Sequence, residues 1–228
     1  MPSKTRNIKK SDSNKAWNTH KQLSKIRLET REKRKKYLIV CEGQTEEWYF
    51  RQFPVVTAEV ISLGLGMTHF KLIEEAKKRS KQDKYDEVWC VFDLDFNAEQ
   101  NGQFEDYNNA VFADDKEKKI RCAYSNDAFE LWFYLHYQFT EQSNLRQFYY
   151  ERLSNIWDMS YEREGKKQEF SKSIYRKLKD DLNSSQQMAI ERAKRLLEKH
   201  KDITKPHEKN PITTVFELVE MLNEHIEQ

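Results

Sequence analysis

Five glycines and four prolines are few for a chain of 228 residues. The shortage excludes long flexible linkers and argues against an all-β fold with many tight turns. No run approaches the roughly 18 apolar residues of a membrane-spanning helix. The N-terminus offers no apolar core of a secretory signal, so a cytoplasmic protein with no membrane association is expected. Cys41, Cys90 and Cys122 form no CxxC pair and fall within predicted strands, where reduced core thiols are expected. No zinc-type spacing occurs. No GxxxxGK[ST] occurs, so any ATPase activity must come from another protein. Gly64-Leu65-Gly66 is only a fragment of a glycine signature.

What is present is charge, unevenly spread. The formal net charge is only +2. Residues 1–36, however, hold 13 Lys/Arg against 3 Asp/Glu, a net of +10, which leaves −8 for residues 37–228. The basic stretch ends in Arg31, Lys33, Arg34, Lys35 and Lys36, directly before the first apolar run. Two readings stand. The arm holds a nucleic-acid backbone, RNA or DNA, beside the acidic body, or it is a solvated tail without a ligand.

Short apolar runs rich in β-branched and aromatic residues predict strands at 37–41, 58–63, 87–92 and 120–124. Helical patterns lie between them. The first is entered through Gly43-Gln44 with Thr45 as cap and Glu46 and Glu47 in its first turn, and Pro54 ends it. The second runs from a cap at Thr68 to about residue 81. A third lies within residues 97–118. Residues 128–139 are apolar nearly all round and predict a helix buried on most sides. Strand–helix alternation of this kind means βαβ units and a mainly parallel sheet. Beyond residue 139 only helical spacing is found, with Ser184 or Ser185 and Thr213 as caps. The expected organisation is therefore a basic arm (1–36), an α/β core (37–139), a helical insertion (140–182) and C-terminal helices that pack back on the core (183–228).

The acids stand where such folds place ligands. Glu42 follows the first strand, and Asp93-Leu94-Asp95 closes the third. Carboxyl ends of parallel strands converge on a crevice. On an extended backbone Asp93 and Asp95 face the same side. Three acidic donors suit a hard cation such as Mg²⁺, with room left for a phosphate. The bland readings are a helix-entry acid for Glu42 and turn residues for the aspartates. Asp127 and Glu130 are spaced as a capping box, which explains both without chemistry. Glu130 also lies one helical turn beyond Asn126, so the two can face one crevice. His136 reads as a core histidine, and His200 and His207 as surface residues.

Ile39-Val40-Cys41-Glu42-Gly43-Gln44-Thr45-Glu46, followed by Phe92-Asp93-Leu94-Asp95, resembles the toprim fold. That is an α/β nucleotidyl-processing domain with a glutamate after its first strand and a DxD after a later one. Ser125-Asn126-Asp127-Ala128-Phe129-Glu130-Leu131-Trp132 and Asn210-Pro211-Ile212-Thr213-Thr214-Val215 resemble the RloB-like family, over roughly residues 30–228. The resemblance implies a toprim-like, mainly parallel sheet flanked by helices and a role in bacterial anti-phage defence. It also implies an ABC- or SMC-like ATPase as partner. Related toprim proteins paired with such ATPases are Mg²⁺-dependent nucleases. Carried over by motif, Glu42, Asp93 and Asp95 are the metal ligands (Mg²⁺ or Mn²⁺), with Ser125 and Asn126 in support. Many toprim proteins carry a further acid or a glycine just after the DxD. Phe96-Asn97 stands there instead, and the resemblance leaves Glu130 to supply that acid.

Three functions follow as expectations. The first is a metal-dependent nuclease for RNA (tRNA included) or DNA, with Glu42 as general base. The second is a non-catalytic sensor or regulatory subunit of an ATPase complex. The third is a housekeeping RNA-processing enzyme, from which the Asn126–Trp132 motif points away. Self-association is left open.

Overall fold

A computed structural model describes residues 35–62, 69–97, 102–114 and 120–226. The strands are β1 (Tyr37–Cys41), β2 (Ala58–Ser62), β3 (Glu87–Asp93), β4 (Ile120–Asn126) and the two-residue β5 (Ile212–Thr213). They lie in the order β2-β1-β3-β4-β5. The first four are parallel and β5 runs antiparallel to β4. This is a mixed α/β fold with a mostly parallel sheet, consistent with the toprim-like arrangement expected.

Both faces of the sheet are covered, which is why its strands read as continuous apolar runs. Alternate side chains of β1 divide between the faces. Ile39 and Cys41 join the core under helix α1 (Gln44–Phe50). Leu38 and Val40 join the core under α2 (His69–Gln82) and α3 (Gln103–Val111). The first core is rich in aromatic rings and continues without a break. It passes through α4 (Glu130–Leu135), α5 (Arg146–Trp157), α6 (Gln168–Asp180), α7 (Gln186–Lys199) and α8 (Val215–Glu224). All six residues of α4 are buried, as expected, although the helix covers Glu130–Leu135 rather than the whole of 128–139. A π-helical turn, Tyr161–Gly165, joins α5 to α6. Cys41, Cys90 and Cys122 are buried free thiols.

Several local expectations are corrected. Gly43, not Thr45, occupies the N-cap of α1, with no side-chain cap. Thr213 belongs to β5, and Thr214 is the N-cap residue of α8. Ser185 does cap α7, accepting the Met188 amide at 3.2 Å. Thr68 and the glycines at 64 and 66 lie outside the described residues. His136 is a core histidine: its Nδ1 pairs with the Trp132 carbonyl at 2.9 Å, and burial pushes its pKa down to about 4. His200 is buried rather than on the surface. His207 is half-buried, held by Asn108. Among the described residues no helix is long and apolar enough to cross a membrane.

Gly165 is fixed by packing. A β-carbon there would stand 2.3 Å from Cδ2 of the buried Tyr161 ring, which cannot swing away. Gly165→Ala is therefore expected to destabilise the fold by about 1–3 kcal/mol, the usual range for overpacking. Thermal unfolding measures it, and an unchanged melting temperature would refute the packing argument.

Candidate active site

The strand order reverses between β1 and β3, because the chain leaves β1 for β2 on one side and returns to β3 on the other. Ligand crevices form at the carboxyl ends of strands at such a switch point. Glu42 and Asp93 stand at these two ends. The Glu42 amide donates to the Val91 carbonyl at 2.9 Å, extending the ladder one residue past β1. The Asp93 backbone amide favours the ionised Glu42 carboxylate, against burial and the neighbouring acids. Asp93 Oδ2 accepts the Phe129 amide at 2.9 Å, which ties the strand end to the entrance of α4.

Two more carboxylates complete the group. Glu46, in the first turn of α1, is buried. It was expected to serve only the helix dipole. Gly43 makes room for it, since a β-carbon at 43 would lie 2.5 Å from Glu46 Oε2. Glu130 opens α4, is buried, and accepts the Tyr161 hydroxyl at 3.1 Å. The capping-box reading of Glu130 fails. Asp127 spends its carboxylate elsewhere, on the Phe96 amide (2.8 Å) and the Arg146 amide (2.9 Å).

Burial raises the pKa of all four acids, and mutual repulsion adds to it. Asp93 and then Glu46 act on Glu42. Asp93 is the main charge acting on Glu46, and Glu130 on Asp93. Glu130 is raised by burial against the pull of the Lys166 ammonium. Four carboxylates that repel one another, one of them with a buried oxygen lacking any hydrogen bond (Glu42 Oε2), suit a hard cation in kind. Among the described residues, no three His, Cys, Asp or Glu side chains stand together as a ligand shell.

Asp95 falls just past the end of the strand. β3 ends at Asp93, and the next two amides bond to the Ser125 and Asp127 carbonyls. Asp95 takes a left-handed φ of 47°, so the two-residue alternation of an extended strand is lost. Its carboxylate pairs with Arg146. Ser125 and Asn126 are buried behind the crevice. Ser125 Oγ bonds Thr213 Oγ1 at 2.9 Å, and Asn126 donates to the His207 carbonyl at 2.8 Å. Arg31, Lys33 and Arg34 lie outside the described residues. Lys36 leaves from the amino end of β1, about 20 Å of strand away from Glu42. Its ammonium approaches Glu59 (3.9 Å) and Asp83 (3.8 Å).

Sequence reasoning missed Glu46 and His69. The Glu-Gly-x-x-Glu spacing was the available signal for Glu46. His69, the first residue of α2, bridges three groups. Nδ1 lies 2.8 Å from Asp106 Oδ2, and Nε2 lies 2.8 Å from the Asp93 carbonyl and 3.8 Å from Glu42 Oε2. Nothing in its sequence context marks it.

The fold and the acidic crevice thus define an α/β protein with a carboxylate site at the switch point of a parallel sheet. The sequence model of the RloB-like protein family matches residues 37–222. The chain belongs to that family. No curated protein and no solved structure matches it.

Proposed function

We propose that the chain is a Mg²⁺-dependent, toprim-type nuclease that hydrolyses phosphodiester bonds of RNA or DNA, acting in the cytoplasm in anti-phage defence with a partner ATPase. The observation that carries this reading is the convergence of Glu42, Glu46, Asp93 and Glu130 at the β1–β3 switch point. Glu42 and Asp93 would hold the ion, with Glu46 and Glu130 flanking it. A bound Mg²⁺ or Mn²⁺ supplies charge for the scissile phosphate and acidifies an attacking water. Glu42 has the free oxygen, Oε2. Burial and Asp93 push its carboxyl pKa up to about 9, so it is protonated at neutral pH in the metal-free protein, and a bound cation would have to ionise it before it could serve as general base. His69 fixes the backbone of Asp93 from behind.

Backbone phosphates also need cations. Lys172, Arg176 and Lys179 of α6 line an open groove of about 670 Å³, together with Glu169 and Asp180. Lys172 also sits 4.1 Å over the Trp48 ring.

The test is cleavage of a mixed panel (total tRNA, single-stranded DNA, duplex DNA) with Mg²⁺ or Mn²⁺, with and without the partner ATPase. Cleavage that requires metal and is lost in Glu42→Gln supports the reading. The alternative, a non-catalytic regulatory subunit, draws on the fully exposed Leu182 between α6 and α7 and on Met188 beyond it, an apolar surface suited to a partner. Absence of cleavage from a verified ATPase complex would favour it.

A further inference from the structure

Three rings stand in a parallel stack on the surface, just past the DxD turn. Phe96 and Phe104 have centroids 5.4 Å apart and planes 10° apart. Phe104 and His207 are 4.4 Å and 15° apart. These are the two flattest ring pairs among the described residues. The buried pairs are mostly edge-on or tilted, such as Phe129–Phe133 at 85° and Tyr49–Phe50 at 74°. Both phenylalanines are 40% exposed.

Hydrogen bonds to neighbouring groups set the rings in place. Gln103 Nε2 donates to the Leu94 and Asp95 carbonyls, each at 2.8 Å, and Gln103 Oε1 accepts the Asn97 amide at 3.0 Å. Phe104 is the next residue. The Phe96 amide is held by Asp127. His207 receives two contacts from Asn108: its amide donates to Oδ1 at 3.0 Å, and its Nδ1 lies 2.8 Å from Nδ2. A partly exposed stack of three parallel rings adds little to the core, yet its open end is a surface that a planar ligand can extend, with Phe104 as the ring that holds the stack together. Phe96 is three residues from Asp93, so its Cα lies within about 11 Å of that of the central carboxylate residue.

We infer that Phe96, Phe104 and His207 form a stacking platform for an unpaired nucleobase next to the bond held at Asp93, so that the substrate is single-stranded at the cut. This rests on the nuclease reading above. Every base has a π-face, and aromatic platforms hold bases without reading sequence. In a duplex those faces are already stacked on their neighbours, so a platform of this kind selects loops, ends and single strands.

The experiment is fluorescence anisotropy with the full chain in EDTA, using a labelled single-stranded 12-mer, its duplex, and an abasic strand of equal length. Wild type is compared with Phe96→Ala, Phe104→Ala, Phe104→Leu and Phe104→Tyr. Wild type is expected to favour the single strand over both the duplex and the abasic strand. Each alanine variant should lose roughly tenfold or more in single-strand affinity, the usual loss for one stacked base. Phe104→Leu should match Phe104→Ala, and Phe104→Tyr should retain affinity, which separates stacking from bulk. Melting temperatures should fall by only a few degrees, since both side chains are partly exposed. If the alanine variants bind the single strand as wild type does, the platform is overturned, even where cleavage still needs Asp93. If base-dependent binding holds while no metal supports cleavage, the platform stands and the nuclease reading falls. No binding to any strand, with the partner ATPase present, overturns both.

Discussion

Asp93→Asn is expected to lower metal-dependent cleavage by about 10²–10³-fold or more, the scale of losing one preorganised electrostatic group at a reacting centre, while raising the thermal stability of the metal-free protein. The two effects have one cause. Asp93 is pressed between Glu42, Glu46 and Glu130, and burial with the Glu130 charge already holds its pKa above the usual range. An amide removes that charge yet keeps an oxygen able to accept the Phe129 amide. A merely structural aspartate would behave in the opposite way, since losing it would unsettle the entrance of α4. Cleavage assays alongside thermal melts decide between them. A variant that melts lower and cleaves normally would remove Asp93 from the centre of the site.

Much of this was legible in the sequence because the sheet is buried on both faces. Strands such as Val88-Trp89-Cys90-Val91-Phe92 have no polar side to confuse the pattern, so four of the five strands and their parallel direction follow from apolar runs and strand–helix alternation, while their order in the sheet does not. β5 was hidden because two residues carry no periodicity. Glu42 and Asp93 were legible because the carboxyl ends of strands are special in such sheets. At Asp95 the strand argument stops applying for a physical reason. Alternation holds only while the chain stays extended, and a φ of 47° ends it there. Glu46 was read as a dipole acid because spacing alone cannot tell whether a first-turn glutamate turns outward or back over the helix end. The decisive fact is the missing side chain at Gly43. His69 and Asp106 meet the site through contacts 24 to 37 residues apart, and no local pattern encodes those.

The same crowding of acids predicts a second large effect. The metal-free protein should lose stability as pH rises from the ordinary carboxylate range, near 4, through neutrality and into the alkaline range. Glu42, Glu46, Asp93 and Glu130 all have folded-state pKa values raised by burial. At intermediate pH the folded chain then binds more protons than the unfolded chain. The slope of unfolding free energy with pH follows protons bound unfolded minus protons bound folded, so it is negative. The stability tied to these groups is full below their unfolded values and is lost as each ionises in the folded state. A divalent cation reverses the sign. It neutralises the carboxylates together, competes with protons for them, and binds the folded chain alone, so its stabilisation grows with its concentration and is greatest where the acids are ionised. Melts in EDTA and in millimolar Mg²⁺ or Mn²⁺ across this range should therefore diverge as pH rises. In Asp93→Asn the EDTA curve should flatten and the metal-dependent gap should narrow. Parallel curves, with no wider gap at high pH, would show that the four carboxylates do not share a cation, and would leave their convergence without the chemistry proposed for it.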